Sequence, residues 1–164
     1  MKMRVGIVTV SDKGSAGLRE DLSGPAIAES LKDIDHEVIW QGIVPDEQDQ
    51  IEEILIRLCE EYEADVILTT GGTGLSPRDV TPEATMNVAD KLIPGISEAL
   101  RVQTAVKAPS SMLSRGISAV RGDTIIINFP GSPKAVRECM EIVLPVMEHA
   151  VLVLKGMVSE CARK

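Results

Sequence analysis

Val66–Pro82 reads V-I-L-T-T-G-G-T-G-L-S-P-R-D-V-T-P, and these seventeen residues decide the fold. The first five are apolar or β-branched, which suits a strand buried on both faces of a parallel sheet. Gly71, Gly72 and Gly74, around Thr73, then break the run. Such a turn can take positive φ and aim successive backbone N–H groups at one point, an anion-binding concavity. Ser76, Pro77, Arg78 and Asp79 follow, and Thr81-Pro82 reads as a helix N-cap with its first-turn proline. The segment thus supplies backbone donors, a guanidinium, a carboxylate and a fresh helix N-terminus, a set suited to a polyphosphate and its metal ion. A plain strand-to-helix connection, with glycines for close packing, is the competing reading. The stretch matches neither G-x-x-x-x-G-K-[ST] nor G-x-G-x-x-G, which excludes the P-loop and the dinucleotide fingerprint.

Outward from this centre, strands alternate with helices. Arg4–Val10 is a β-branched run ending in the polar turn Ser11-Asp12-Lys13-Gly14, where an α/β protein places binding groups. Residues 15–23 read as a loop, and Ser23-Gly24-Pro25 opens a helix. Glu37–Gln41 is a second strand. Asp46 stands where the N-cap of the helix Glu47–Tyr62 belongs, and that helix carries Ile51, Ile54, Leu55, Leu58 and Tyr62 on one packed stripe. Downstream come a short helix at Pro82–Asp90, a second from Ile96, and a hairpin turn at Arg121-Gly122. Thr124–Asn128 is another apolar strand, running into Pro130-Gly131 and then Ser132-Pro133 as N-cap and N1 of the closing helix. That helix stops near Gly156. The expectation is a single domain over 1–156, three-layered α/β/α with a mostly parallel sheet, followed by a tail at 157–164. Ligands belong along the C-terminal ends of the strands.

Composition narrows the function. Of 164 residues, 44% are hydrophobic, but Trp, Tyr and Phe occur once each, so platforms for stacking nucleic-acid bases are lacking. A net charge of −8 also disfavours a phosphate backbone as partner, although it leaves room for a local basic pocket. Cys59, Cys139 and Cys161 are far apart, and His36 and His149 are isolated, so neither a disulfide framework nor a structural zinc site is indicated. No signal peptide is visible. The apolar stretch Ile142–Leu154 is interrupted by Pro145, Glu148 and His149 and is too short to span a bilayer. A soluble cytoplasmic protein is expected, with no nucleic-acid or membrane partner.

The central stretch resembles the signature of the molybdenum-cofactor-biosynthesis family that includes the bacterial MogA and MoaB proteins and the plant and gephyrin G domains. Thr9–Asp12 (T-V-S-D), Asp21–Gly24 (D-x-S-G), Val44–Glu47 (V-P-D-E), Leu113–Arg115 (L-S-R) and Asn128–Gly131 (N-x-P-G) extend the resemblance across most of the chain. It implies the MogA/MoaB-like molybdopterin-binding fold and transfer of AMP from Mg-ATP to the terminal phosphate of molybdopterin. The family's two functional aspartates fall on Asp46 and Asp79, as catalytic and Mg²⁺-linked carboxylates, and its substrate-binding serine falls on Ser114. Ser11, Asp12, Gly71, Gly72, Thr73, Gly74, Arg78, Asn128, Pro130 and Gly131 complete the candidate substrate site. Asp12 and Asp46 have a simpler reading as turn and helix caps. The resemblance further implies a homotrimer and a downstream MoeA-type molybdate-insertion protein. A MoaB-like protein that binds molybdopterin with little catalysis is the alternative, and S-P-R-D-V-T-P-E-A-T looks nearer the active, MogA-like branch.

Overall fold

The computed structural model describes residues 1–158; the expected tail therefore falls largely outside the described residues, as does Cys161. Six strands form one mixed sheet. They are β1 (Met3–Val10), β2 (His36–Val44), β3 (Val66–Thr70), β4 (Lys91–Leu92), β5 (Ser118–Arg121) and β6 (Thr124–Phe129), in the order β2-β1-β3-β6-β5-β4. The four strands from β2 to β6 are parallel, whereas β5 pairs antiparallel with both β6 and β4.

Side chains alternate across the central strands and divide the core in two. Val5, Ile7, Val66, Leu68, Ile125, Ile127 and Phe129 pack beneath α2 (Ser23–Ser30), α5 (Pro94–Ala105) and α6 (Pro133–Leu154). Val8, Val10, Ile67 and Ile126 face α3 (Gln48–Glu60) and α4 (Thr81–Val88). Both faces of β3 are buried, which is why Val66–Thr70 shows no polar alternation. This is the expected three-layer α/β/α architecture.

Four local expectations need correction. Ser11-Asp12-Lys13-Gly14, expected as a polar turn, begins a short helix, α1 (Asp12–Ser15), with the Ser11 hydroxyl accepting the Gly14 N–H; the loop expected after it runs from residue 16 to α2. Strand β2 runs on to Val44 rather than stopping at Gln41, because β1 pairs with it along its whole length. Asp46 does not cap α3. Glu47 occupies that position without a side-chain bond, and the Asp46 carboxylate turns away. Thr81 likewise lies inside α4, whose N-cap is Val80, and its hydroxyl donates to Gly71 O at 3.0 Å. Elsewhere the local chemistry is as expected: Ser132 caps α6, and Gly156 at φ +68° ends it, with Met157 N–H reaching Leu152 O.

The winding decides where a site can form. After β1 the chain passes to α2 on one face, after β3 to α4 on the other, and after β6 to α6 on the first face again. Strand β3 is therefore flanked by two points where successive helices diverge. At each, a crevice opens beyond the strand ends.

Candidate active site

Both crevices are real cavities, and they meet over β3. The first, about 510 Å³, lies towards β6 and α5; its walls include Gly71–Gly74, Leu100, Arg101, Ala108, Leu113, Ser114, Asn128, Pro130 and Gly131. The second, about 410 Å³, lies between the ends of β1 and β3, walled by Ser11, Arg19, Asp21, Asp46, Thr70 and the N-terminus of α6. Gly71, Gly72, Asp79 and Gly131 border both.

Backbone geometry explains the glycines on this shared rim. Gly71 has φ +95° and Gly72 φ +67°, and a side chain at either would collide, with Val10 O and with the Thr81 hydroxyl respectively. Gly131 packs with its would-be Cβ 3.4 Å from the Gly71 Cα, so the two glycine turns touch. The Gly71 N–H is used by Phe129 O at 3.1 Å and is no anion donor. The N–H groups of Gly72, Thr73 and Gly74 carry no hydrogen bond to any described residue, so an anion on this rim can take them.

The two aspartates, thirty-three positions apart in sequence, border the same second cavity. Asp46 is half-buried. Its Oδ2 accepts the Asp12 N–H at 2.9 Å, while its own N–H donates to Asp12 Oδ1 at 3.0 Å. Burial raises its carboxyl above the usual range, and the nearby Asp12 and Asp79 charges add to that. Asp79 accepts the Ser76 N–H on Oδ2 at 3.0 Å. Each aspartate thus keeps one oxygen without a partner among the described residues. These residues contain no cluster of three or more His, Cys, Asp or Glu able to hold a metal. A cation here would draw on two carboxylates and fill its other positions from water or phosphate, which suits Mg²⁺.

Arg78 and Asp12 stand apart from both cavity walls. The guanidinium donates from Nε and Nη2 to the two oxygens of Asp12, at 3.0 Å each, and from Nη2 to Glu47 at 2.7 Å. This pair holds Asp12 below the usual carboxylate range and fastens the glycine-turn loop to the start of α3. Arg78, expected as a phosphate-binding cation, is thus already neutralised by carboxylates. Asn128 also has a different part. Its amide donates to Thr69 and Thr85 at 3.0 Å each and accepts the Ile117 N–H, which locks β3, α4 and the approach to β5 together.

Ser114 does lie on the first cavity. Its neighbour Arg115, quoted in the L-S-R motif but given no role, ties the rim together. It donates to Gly74 O at 2.8 Å and Asp79 O at 2.7 Å, and pairs with Glu83. Arg101 and Arg19, one on each cavity, were not legible either. No motif marks them, and only the winding brings α5 and the segment after α1 to these walls. Cys139 reaches the first cavity, but burial pushes its thiol up to about 12, so it is a wall and not a nucleophile.

The fold and site define a class of α/β protein in which two cavities at the C-terminal ends of the strands meet across one glycine rim. The family model described as "Probable molybdopterin binding domain" matches residues 6–149. The chain is 42% identical over 156 residues to the molybdopterin adenylyltransferase of Helicobacter pylori, covering 94% of this chain and 89% of that one. It is 39% identical to that of Escherichia coli, over 85% and 72% of the two chains. Among solved structures, the molybdopterin biosynthesis enzyme MoaB of Thermus thermophilus matches at 48% identity and TM-score 0.89, over 94% of this chain and 97% of that one. A structure of MogA matches at 40% and 0.88, over 92% and 99%. The chain belongs to the molybdopterin-binding family of molybdenum-cofactor biosynthesis.

Proposed function

We propose that the protein is a molybdopterin adenylyltransferase. A terminal phosphate oxygen of molybdopterin attacks the α-phosphorus of ATP, the bond from that phosphorus to the β-phosphate oxygen breaks, and pyrophosphate leaves. The product is adenylylated molybdopterin, joined through a new phosphoanhydride. The observation that carries this reading is the rim of Gly71, Gly72, Asp79 and Gly131 common to two cavities, since a transfer between two bound molecules needs such a meeting place. The similarity to relatives named molybdopterin adenylyltransferase supports it.

Each cavity suits one substrate. The first, with Leu100, Ala108 and Leu113 beside Ser114, suits a flat heterocycle; the second, with Asp46, Asp79 and the α6 N-terminus, suits a triphosphate. The acceptor phosphate is largely dianionic at neutral pH and needs no strong base, consistent with walls that carry neither a histidine nor an activated thiol. The residues' work is then positioning and charge balance. The free N–H groups of Gly72–Gly74 receive the acceptor phosphate, and Asp46 and Asp79 would hold Mg²⁺. When bound, that ion supplies positive charge to the phosphates in transit.

Three finer features go with this reading: a cytoplasmic location, a homotrimer, and delivery of the product to a MoeA-type molybdate-insertion protein. Val102 on α5 and Val106 at its C-cap, both strongly exposed, offer apolar surface for self-association. A solution mass near three times 17.6 kDa is the expected result from light scattering. Among the described residues no helix is long and apolar enough to cross a membrane.

The 48% identity to a protein called MoaB favours one rival, a molybdopterin binder with little catalysis. Incubation with molybdopterin, ATP and Mg²⁺ separates the two. Adenylylated pterin and pyrophosphate in equal amounts are expected. Tight molybdopterin binding without either product would establish the rival.

A further inference from the structure

Arg101 is a half-buried guanidinium on the wall of the first cavity, and it has no carboxylate partner among the described residues. Its Nη1 donates to Gly116 O at 2.8 Å and, more weakly, to Ser114 O at 3.4 Å. The Nε and Nη2 edge donates to nothing in the described chain, yet it is not sealed from solvent. That edge carries two parallel N–H groups, the geometry that grips two oxygens of one phosphate. The contrast with Arg78 and Arg115 is instructive. Both of those engage carboxylates, Asp12 and Glu47 for one and Glu83 for the other. A strut for the Ser114–Gly116 turn would need only Nη1. The solvent-facing edge is thus left open to an anion that enters the cavity.

We propose that Arg101 is the anion anchor of the first cavity and that its free edge grips the phosphate of the ligand bound there. The inference rests on the reading of the first cavity as the pterin site. Anchored through Nη1 to the backbone of Ser114 and Gly116, the guanidinium is held in place before the ligand arrives, so little side-chain entropy is lost on binding. It distinguishes a phosphorylated pterin from the same pterin without its phosphate, a selectivity that the apolar wall alone does not provide.

The test is a two-by-two binding experiment. Wild type and Arg101→Met are titrated with molybdopterin and with its phosphatase-treated, dephosphorylated form, following pterin fluorescence. Arg101→Met should weaken molybdopterin by about tenfold to a hundredfold, the range of a charge-assisted hydrogen bond, and the dephosphorylated form by under about threefold. Arg101→Lys, which keeps the charge and a donor for the turn, should fall between wild type and Arg101→Met for molybdopterin and match wild type for the dephosphorylated form. It also serves if Arg101→Met melts early. Equal losses for the two ligands would make Arg101 a strut for the Ser114 turn and overturn the inference, while product formation by wild type would leave the adenylyltransferase reading standing. No loss for either ligand overturns it in the same way. Wild-type protein that binds neither form overturns both.

Discussion

The two cavities differ in how they treat charge, although they share four residues. The first sets one anchored arginine among small hydroxyl and apolar side chains; its single carboxylate is Asp79, on the rim. The second sets Asp46, Asp79, Asp21 and Glu20 together, with Arg19 as its lone cation, and Arg19 has no partner among the described residues. Asp21 is satisfied internally by the Thr9 and Ser23 hydroxyls and the Gly24 N–H, which leaves Asp46 and Asp79 on the glycine rim, and the exposed Glu20, without a balancing cation. An arginine with a free edge can accept a phosphate directly. A cavity with unbalanced carboxylates cannot, because two like charges repel by several kcal/mol at about 4 Å under an effective dielectric near 20. On the proposed reading it would first take up a cation. The expected contrast is therefore metal-independent anion binding on one side of β3 and metal-dependent binding on the other.

The most severe way to break this contrast is at Asp79, the carboxylate common to both cavities. Asp79→Asn keeps an oxygen for the Ser76 N–H and leaves the main-chain link to Arg115 untouched, so it removes charge with little change of shape. Single-turnover adenylylation should slow by about 10²–10³-fold, comparable to losing one preorganised transition-state contact, while molybdopterin affinity stays within a few-fold. An active Asn variant would mean that Asp79 serves only to fold the loop.

Next in size is metal removal. In excess EDTA, ATP affinity should fall by about tenfold or more, since Asp46 and Asp79 then face the triphosphate unneutralised. Molybdopterin, received by Arg101 and backbone N–H groups, should bind with unchanged affinity. If both ligands weaken together, the separation between the two cavities is wrong. A smaller effect belongs to Ser114→Ala. One neutral hydrogen bond contributes about 0.5–1.5 kcal/mol, so the molybdopterin KM should rise about threefold to tenfold with kcat nearly unchanged. A fall in kcat at constant KM would move Ser114 from binding to chemistry.

How much of this was legible in the sequence follows from the range over which each signal acts. Strand β3 and its glycine turn were readable because double-sided burial and positive φ leave local marks, in V-I-L-T-T and G-G-T-G. The C-terminal edge as the site followed from the alternation of strands and helices, and the family signature carried Asp46, Asp79 and Ser114 to it. What failed was the partner of each polar group. Arg78 looks like a phosphate ligand in S-P-R-D, but it meets Asp12 and Glu47 from segments more than thirty positions away. Asp46 fits a helix-cap position, yet its carboxylate prefers the Asp12 N–H across the sheet edge. Asn128 looked available and is fully engaged between β3 and α4. In each case the decisive neighbour arrives only through the parallel winding, which no local pattern encodes.

The finest test uses stability rather than turnover. Burial raises the Asp46 carboxyl above 3.8, so the folded state holds that proton more tightly than the unfolded chain does. Its contribution to stability is therefore fully present below the unfolded value and is lost as pH rises through the folded one. At neutral pH the ionised, unmetallated Asp46 is a net cost to the fold. Asp46→Asn removes that charge and can still accept the Asp12 N–H, so in EDTA at pH 7 it should melt slightly above wild type, by about 1–3 °C. The gap should shrink as pH falls towards 4, where wild type regains the proton. Added Mg²⁺ should close it from the other side, by raising wild type more than the variant. A variant that melts below wild type at pH 7 would mean that the Asp46 charge stabilises the fold through Asp12 and Arg78, and the second cavity would then need no cation to balance it.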